Sequence, residues 1–213
     1  MKKSFVRFFV LTALVPLQLN AASLVDGDAA AGKDKSATCS ACHGAEGISA
    51  NPLWPNIAGQ NAKYLVAQLK AFQPGENGAE ALRSDPLMTS MALPLSDEDI
   101  RDLAVYFEGL PAAVNSVQNE KSVDKAEALY RGGNEEEKTA ACLACHGPSG
   151  RGNPAATYPT LNGQHAAYTA KQLRDYAANK RKSDGKTRIM RGIAARLSDD
   201  EIEALASYVQ GLK

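Results

Sequence analysis

The sequence predicts an all-α protein of two tandem domains, and the first observation behind this prediction is an internal repeat. Residues 54–60 (WPNIAGQ) are matched by residues 158–164 (YPTLNGQ), and residues 95–100 (LSDEDI) are matched by residues 197–202 (LSDDEI). The second observation is a helical spacing of apolar residues after the matched segments, and the third is the lack of strand-like alternation. Each copy of the repeat is therefore predicted to be a small helical domain.

In each domain we expect a helix leading into a cysteine pair, a proline loop, a middle helix, a loop with a methionine and a terminal helix. The middle helices carry matching residues at i, i+4, i+5 and i+8, which is one face of an amphipathic helix. These residues are Tyr64, Gln68, Leu69 and Phe72, and then Tyr168, Gln172, Leu173 and Tyr176. The terminal helices begin after Ser96 and Ser198, because serine caps a first turn well, and Ser198 is expected to form a capping box with Glu201.

The N-terminus has the pattern of a secretory signal peptide. Lys2, Lys3 and Arg7 form a basic start, an apolar stretch follows at residues 8–19, and small residues suited to cleavage end the segment. The apolar stretch is shorter than the roughly 20 residues that span a bilayer, so a cleaved signal is favoured over a retained anchor. We therefore expect export to the periplasm. The predicted boundaries are residues 1–22 for the signal peptide, 23–111 for the first domain, 112–123 for a polar linker and 124–213 for the second domain.

All four cysteines belong to two copies of one motif, Cys-x-x-Cys-His. The copies are Cys39, Cys42 and His43, and Cys142, Cys145 and His146. This motif is typical of haem c attachment, because two thiols one helical turn apart can form thioethers to one porphyrin while the adjacent imidazole coordinates the iron. A zinc site, a redox dithiol and a disulfide are alternatives, but each fits poorly with two distant pairs that are both followed by histidine. We expect two covalently bound haem c groups, with the matched faces of the middle helices packed near them.

The second axial ligand decides what each iron does, because an open position admits substrate and a filled one favours electron transfer. Beyond the signal peptide the methionines are Met88, Met91 and Met190. Met88 and Met190 each stand eight residues before the aligned capping serines, whereas Met91 falls opposite Ile193. We therefore predict Met88 and Met190 as ligands carried on loops, and Met91 as a packing residue. With methionine as the second axial ligand, both haems are expected to be six-coordinate. Because thioether sulfur favours Fe(II), both are also expected to be relatively oxidising.

The histidine of each motif needs an acceptor for its second ring nitrogen, because that hydrogen bond fixes the orientation of the ring. The backbone carbonyls of Pro55 and Pro159 are predicted to accept from His43 and His146. His165 lacks the context of a ligand and is predicted to be an ordinary surface residue. The candidate donors to the haem propionates are Trp54, Gln60, Tyr158, Gln164 and nearby arginines.

Charge is distributed unevenly along the chain. Residues 22–112 contain 6 basic and 12 acidic side chains, whereas residues 124–213 contain 14 basic and 11 acidic ones. An exported chain without interleaved aromatic and basic residues argues against nucleic acid as a partner. One basic cluster is expected either to dock an acidic partner, to pair with haem propionates or simply to be solvated. Its members are Lys180, Arg181, Lys182, Lys186, Arg188, Arg191 and Arg196.

Together these features resemble the dihaem cytochrome c4 proteins of bacteria over essentially the whole mature chain. The resemblance is carried by the tandem motifs, by residues 55–60 (PNIAGQ), by residues 163–173 (GQHAAYTAKQL) and by residues 190–192 (MRG). It implies two class I cytochrome c folds related by a pseudo-twofold axis, with haem propionate edges facing each other across the interface. The ligand pairs that it implies are His43 with Met88 and His146 with Met190.

The resemblance also implies a periplasmic electron carrier, sometimes associated with the membrane, that serves a terminal oxidase or another respiratory enzyme. We therefore expect a monomeric electron-transfer protein, not an enzyme, that exchanges single electrons with redox protein partners. Two alternatives stay open. A dihaem subunit of a flavocytochrome such as a sulfide dehydrogenase would copurify with its flavoprotein, and a dihaem peroxidase would contain a high-spin haem. The two matched methionines argue against the peroxidase.

Overall fold

A computed structural model describes residues 23–213, so the predicted signal peptide lies outside the described residues. Within this range the secondary structure is helical apart from isolated bridges at Asn134 with Thr139 and Asn153 with Tyr158, which confirms the all-α prediction. The first five helices are α1 (Ala29–Lys35), α2 (Ala37–His43), α3 (Ala62–Phe72), α4 (Pro86–Ala92) and α5 (Asp97–Glu108). The next five are α6 (Val123–Gly132), α7 (Leu143–His146), α8 (Ala166–Ala177), α9 (Ile189–Ala194) and α10 (Asp199–Gly211). None of the helices in residues 23–213 has both the length and the apolar character needed to cross a membrane.

The first domain is organised around α5. This helix begins with a capping box, in which Ser96 and Asp99 each accept a hydrogen bond from the backbone N–H of the other. Its apolar face contains Leu103, Ala104 and Phe107, which are buried against α3, and α1 also packs on α5. The periodicity of α5 therefore places the domain core between α3 and α5, and Cys39 of the first motif packs against this core.

The second domain repeats this arrangement around α10. The predicted capping box of Ser198 and Glu201 is present, and α10 packs against both α6 and α8. Tyr130 of α6 is fully buried, and its hydroxyl donates to the carbonyl oxygen of Gly147 at 2.6 Å. This bond ties the first helix of the domain to the residue that follows the second Cys-x-x-Cys-His motif.

The two methionine segments are short helices, so the prediction of loops there was wrong. In α4, Pro86 occupies the first turn and Asp85 accepts from two backbone N–H groups, each at 3.1 Å. In α9 no side chain caps the N-terminus, and Asp184 instead accepts from the backbone N–H of Arg191 at 2.9 Å and from its Nε at 2.7 Å. Helices of six or seven residues are too short for apolar periodicity to reveal them.

The two domains are joined by reciprocal hydrogen bonds. The side chain of Gln60 donates to the carbonyl oxygen of Thr160 and accepts from its N–H, both at 2.9 Å. Gln164 makes the same pair of bonds with Asn56, at 2.8 and 2.9 Å. Because Gln60 is the repeat counterpart of Gln164, and Asn56 that of Thr160, the interface has pseudo-twofold symmetry.

The predicted linker, residues 112–123, packs along the second domain. Asn115 donates to the carbonyl oxygen of Gly163 at 2.8 Å, and the hydroxyl of Ser207 accepts from two consecutive backbone N–H groups of the linker. Gly163 has a φ of +72°, and a Cβ there would lie 2.0 Å from the carbonyl oxygen of Ala113. Only glycine therefore allows the chain to pass this closely. The domain boundaries themselves stay a prediction.

Candidate haem sites

A cavity of about 1120 Å³ extends through both domains. Its lining includes both Cys-x-x-Cys-His motifs and the eight residues predicted to form the matched faces of α3 and α8. The volume exceeds the roughly 300–1,000 Å³ of a site for one small molecule. One continuous space is thus available to the functional groups of both domains.

In each domain a helix ends at the histidine of the motif. α2 ends at His43 and α7 ends at His146, and each histidine is followed by a glycine with a positive φ. At Gly44, where φ is +81°, a Cβ would lie 2.1 Å from the carbonyl oxygen of Ile48. Glycine therefore allows the chain to leave the helix directly after the imidazole has been placed in the cavity.

Both motif imidazoles are buried and held in one orientation. Nδ1 of His43 lies 2.8 Å from the carbonyl oxygen of Pro55, and Nδ1 of His146 lies 3.0 Å from that of Pro159, which confirms the predicted pairs. Since a carbonyl oxygen only accepts, Nδ1 carries the proton and Nε2 keeps a free lone pair. Burial lowers the pKa of both histidines more than the carbonyls raise it, and this favours the neutral ring that binds a metal.

The four cysteines of the motifs line the same cavity, and none of them forms a disulfide. Burial raises the pKa of Cys39, and it raises the pKa of Cys142 to about 11. A reactive redox dithiol needs the opposite, a thiolate stabilised by a lowered pKa. The environment of Cys39 and Cys142 therefore does not favour a thioredoxin-like function.

The three methionines beyond the signal peptide all line the cavity. Met88 and Met91 lie three residues apart on α4, which places them on the same side of that helix, and Met190 lies on α9. Met88 and Met190 are half-buried, whereas Met91 is 47% exposed. The structure thus brings Met88 and Met190 into the space that the motif histidines face, and their coordination of iron stays a prediction.

The interface between α3 and α8 contains two arginines that differ from the sequence-based expectation. Arg181 is only 4% exposed, so of the three roles considered for the basic cluster, docking of a partner and simple solvation do not apply to it. Arg191 of the same cluster is internal too, because its side chain pairs with Asp184. Arg83 was missed, since it lies in the one loop of the first domain, residues 73–86, that has no alignable counterpart in the repeat.

His165 joins the domains, and its prediction as an ordinary surface residue was wrong. Its Nε2 lies 2.9 Å from the carbonyl oxygen of Ser49 in the first domain. The repeat counterpart, Asn61, donates to the carbonyl oxygen of Tyr158 at 2.7 Å. Polar residues at equivalent positions before both middle helices were the signal of this role in the sequence.

These residues fit haem c in each domain. Two thiols lie one helical turn apart, and the neighbouring imidazole has its Nε2 available for iron. A thioether from a separate helix enters the same cavity, and soft sulfur suits Fe(II). The walls between them are formed largely by aliphatic and aromatic side chains, which suit a buried macrocycle.

Comparisons with known proteins agree with this geometry. A model of the family described as Cytochrome c matches the chain twice, at residues 29–111 and 131–213. Cytochrome c4 of Stutzerimonas stutzeri is 45% identical over 206 residues, which are 95% of this chain and 98% of that protein. A protein named thiosulfate dehydrogenase electron acceptor, from Stutzerimonas stutzeri strain A1501, is 37% identical over 80% of this chain and 76% of its own length.

A solved structure supports the same assignment. The crystal structure of reduced recombinant cytochrome c4 from Pseudomonas stutzeri matches with a TM-score of 0.83 and 46% identity, over 88% of this chain and 100% of that one. The tandem domains predicted from the repeat are therefore confirmed. Two domains of this kind, each with its own cysteine pair, imply two covalent haem c groups.

Proposed function

The chain belongs to the cytochrome c4 family and is a dihaem electron-transfer cytochrome. We propose that it is an exported electron carrier in which each iron is coordinated by one histidine and one methionine. In the first domain the ligands are His43 and Met88, and in the second they are His146 and Met190. The haems supply the Fe(III)/Fe(II) couple, and the chain holds, orients and insulates them.

One observation carries this proposal: in both domains a fixed imidazole and a thioether from a separate helix line the same cavity. A filled sixth position leaves no place for a substrate at the metal, so the chain is suited to accept and release single electrons. The thioether favours the reduced metal, and apolar walls favour the form with less charge, so both effects raise the reduction potential.

The partners of the carrier are redox proteins. We place it in the periplasm, in line with the export signal predicted at residues 1–22, where it meets respiratory proteins as a free monomer or at the membrane surface. The relative named thiosulfate dehydrogenase electron acceptor supports a dehydrogenase as one electron donor, with a terminal oxidase or another reductase as acceptor. The comparisons do not favour a flavocytochrome subunit or a peroxidase.

Ligation is tested by three methionine-to-alanine variants of the holoprotein, each followed by redox titration and optical spectra. Met88→Ala and Met190→Ala should each remove the methionine–iron signature of one haem and lower one of the two midpoint potentials. Met91→Ala is the matched control, because it removes a thioether from the same helix as Met88. Loss of the signature in Met91→Ala, with retention in Met88→Ala, would contradict the assignment in the first domain.

A further inference from the structure

Arg181 is a buried cation surrounded by neutral groups. Its guanidinium donates to Gln172 of its own domain at 2.8 Å and to Tyr64 and Gln68 of the other domain, both at 2.7 Å. A fourth bond goes to the hydroxyl of Ser183 at 3.0 Å. None of these acceptors carries a negative charge, although burial of a cation is costly unless an anion balances it.

Arg83 occupies the mirrored position on the other side of the interface. It donates to Gln68 of its own domain at 3.2 Å and to Tyr168 and Gln172 of the second domain, at 3.3 and 3.0 Å. The side-chain oxygens of Gln68 and Gln172 therefore each accept from both arginines. Two guanidiniums that share the same acceptors repel each other, so the arrangement calls for an anion between or beside them.

The location of the pair limits what this anion is. Both arginines, both glutamines and both tyrosines line the cavity that contains the two Cys-x-x-Cys-His motifs. A haem c brings its own anions into such a space, because each porphyrin carries two propionate carboxylates. Arginine is well suited to carboxylates, since its planar fork can donate two parallel hydrogen bonds.

We propose that Arg83 and Arg181 form one shared site, built from both domains, that binds propionate carboxylates of both haems and raises both reduction potentials. The proposal rests on the two haems of the proposed function but not on which methionines coordinate them. A fixed positive charge near a haem favours Fe(II), because the iron is then less positive. Each domain contributes polar groups to the arginine of the other, so a substitution in one domain should be felt at both haems.

The test is a redox titration of holoprotein variants. Arg181→Gln should lower both midpoint potentials. We expect the equilibrium constant for reduction of each haem to fall roughly tenfold, which corresponds to about 59 mV for a one-electron couple. Arg83→Gln should act in the same direction with a smaller shift, because Arg83 is only half-buried. Arg181→Lys keeps the positive charge but loses the planar guanidinium. Its two midpoint potentials should therefore lie close to those of the wild type.

The matched control is Lys186→Gln, which removes one positive charge from an exposed position near Arg181 in the chain. The proposal is wrong if Arg181→Gln and Arg83→Gln shift the potentials no more than this control while both haems stay attached with unchanged methionine–iron spectra. It is also wrong if Arg181→Lys resembles Arg181→Gln, since charge would then not be the cause. If Arg181→Gln does not fold, Arg83→Gln decides by the same criteria.

A free anion from solution is the remaining source of negative charge for this site. It is distinguished by titrating inorganic phosphate against the wild-type protein at constant ionic strength. Bound propionates predict midpoint potentials that do not respond to phosphate. Potentials that fall with phosphate in the wild type but not in Arg181→Gln would place an exchangeable anion at the arginines and overturn the proposal.

Discussion

The helix that carries Met190 depends on one buried ion pair, and Asp184→Ala should therefore loosen it selectively. The side chain of Asp184 is 4% exposed and that of Arg191 is 12% exposed. One carboxylate oxygen accepts from Nε of Arg191 at 2.7 Å, and the other accepts from its backbone N–H at 2.9 Å. Since α9 has six residues and no side-chain N-cap, few other polar contacts hold it.

The expected cost follows from the charge left behind. Removing one partner of a buried ion pair typically costs about 3–5 kcal/mol. Here Arg191 keeps hydrogen bonds to Asn179 and to the carbonyl oxygen of Gly185, at 2.9 and 2.7 Å, so we expect the lower end of that range. Asp85→Ala is the matched change in the first domain, and because it removes only an N-cap of α4, its cost should be about 1 kcal/mol.

The assay is denaturant unfolding followed by circular dichroism, together with the methionine–iron absorbance of the folded protein. Asp184→Ala should lower the free energy of unfolding by about 3 kcal/mol and weaken the signature of one haem. The double variant Asp184→Ala with Arg191→Met should be more stable than Asp184→Ala alone, because no unpaired charge remains. If Asp184→Ala costs no more than Asp85→Ala, or if the double variant regains no stability, the buried ion pair is not what holds α9.

Gly163→Ala should destabilise the protein more than Gly185→Ala, although the φ angles are similar, +72° and +65°. A Cβ at Gly163 would lie 2.0 Å from the carbonyl oxygen of Ala113, whereas one at Gly185 meets nothing within 4 Å. If the two variants lower the thermal unfolding temperature equally, the close approach at Gly163 is not the cause. The hydrogen bond from Lys35 holds the pKa of Asp102 below its usual range in the folded protein. Because the unfolded chain then binds more protons than the folded one in acid, the stability should fall as the pH drops through about 4. Asp102→Asn should therefore lose less stability than the wild type between pH 7 and about pH 3. If denaturant unfolding shows the same loss of unfolding free energy in both proteins, Asp102 is not the source of the acid sensitivity.

The sequence predicted the local features well, because each depends on residues close together in the chain. The cysteine motifs, the capping serines and the proline carbonyls that accept from His43 and His146 all lie within about a dozen residues of their partners. The internal repeat extended these local patterns to whole domains. The short helices α4 and α9 escaped detection because six or seven residues carry too little periodicity.

Three errors about single residues have a different cause, which is that these residues act across the domain interface. His165, Arg83 and Arg181 all bond to residues more than 80 positions away, and no local pattern distinguishes them from surface side chains. Arg181 in particular stands between two lysines, so the chain around it has the composition of a solvated loop.

The sequence by itself determined the helical class, the two domains and the two haem attachment sites, because repeat, capping and motif are properties of neighbouring residues. Only the tertiary structure decided which polar side chains join the domains and which cations are buried. Burial depends on what the other domain places against a residue, and that information is distributed over both halves of the chain. The buried cation Arg181, with its four neutral acceptors, is therefore known only once the two domains have been brought together.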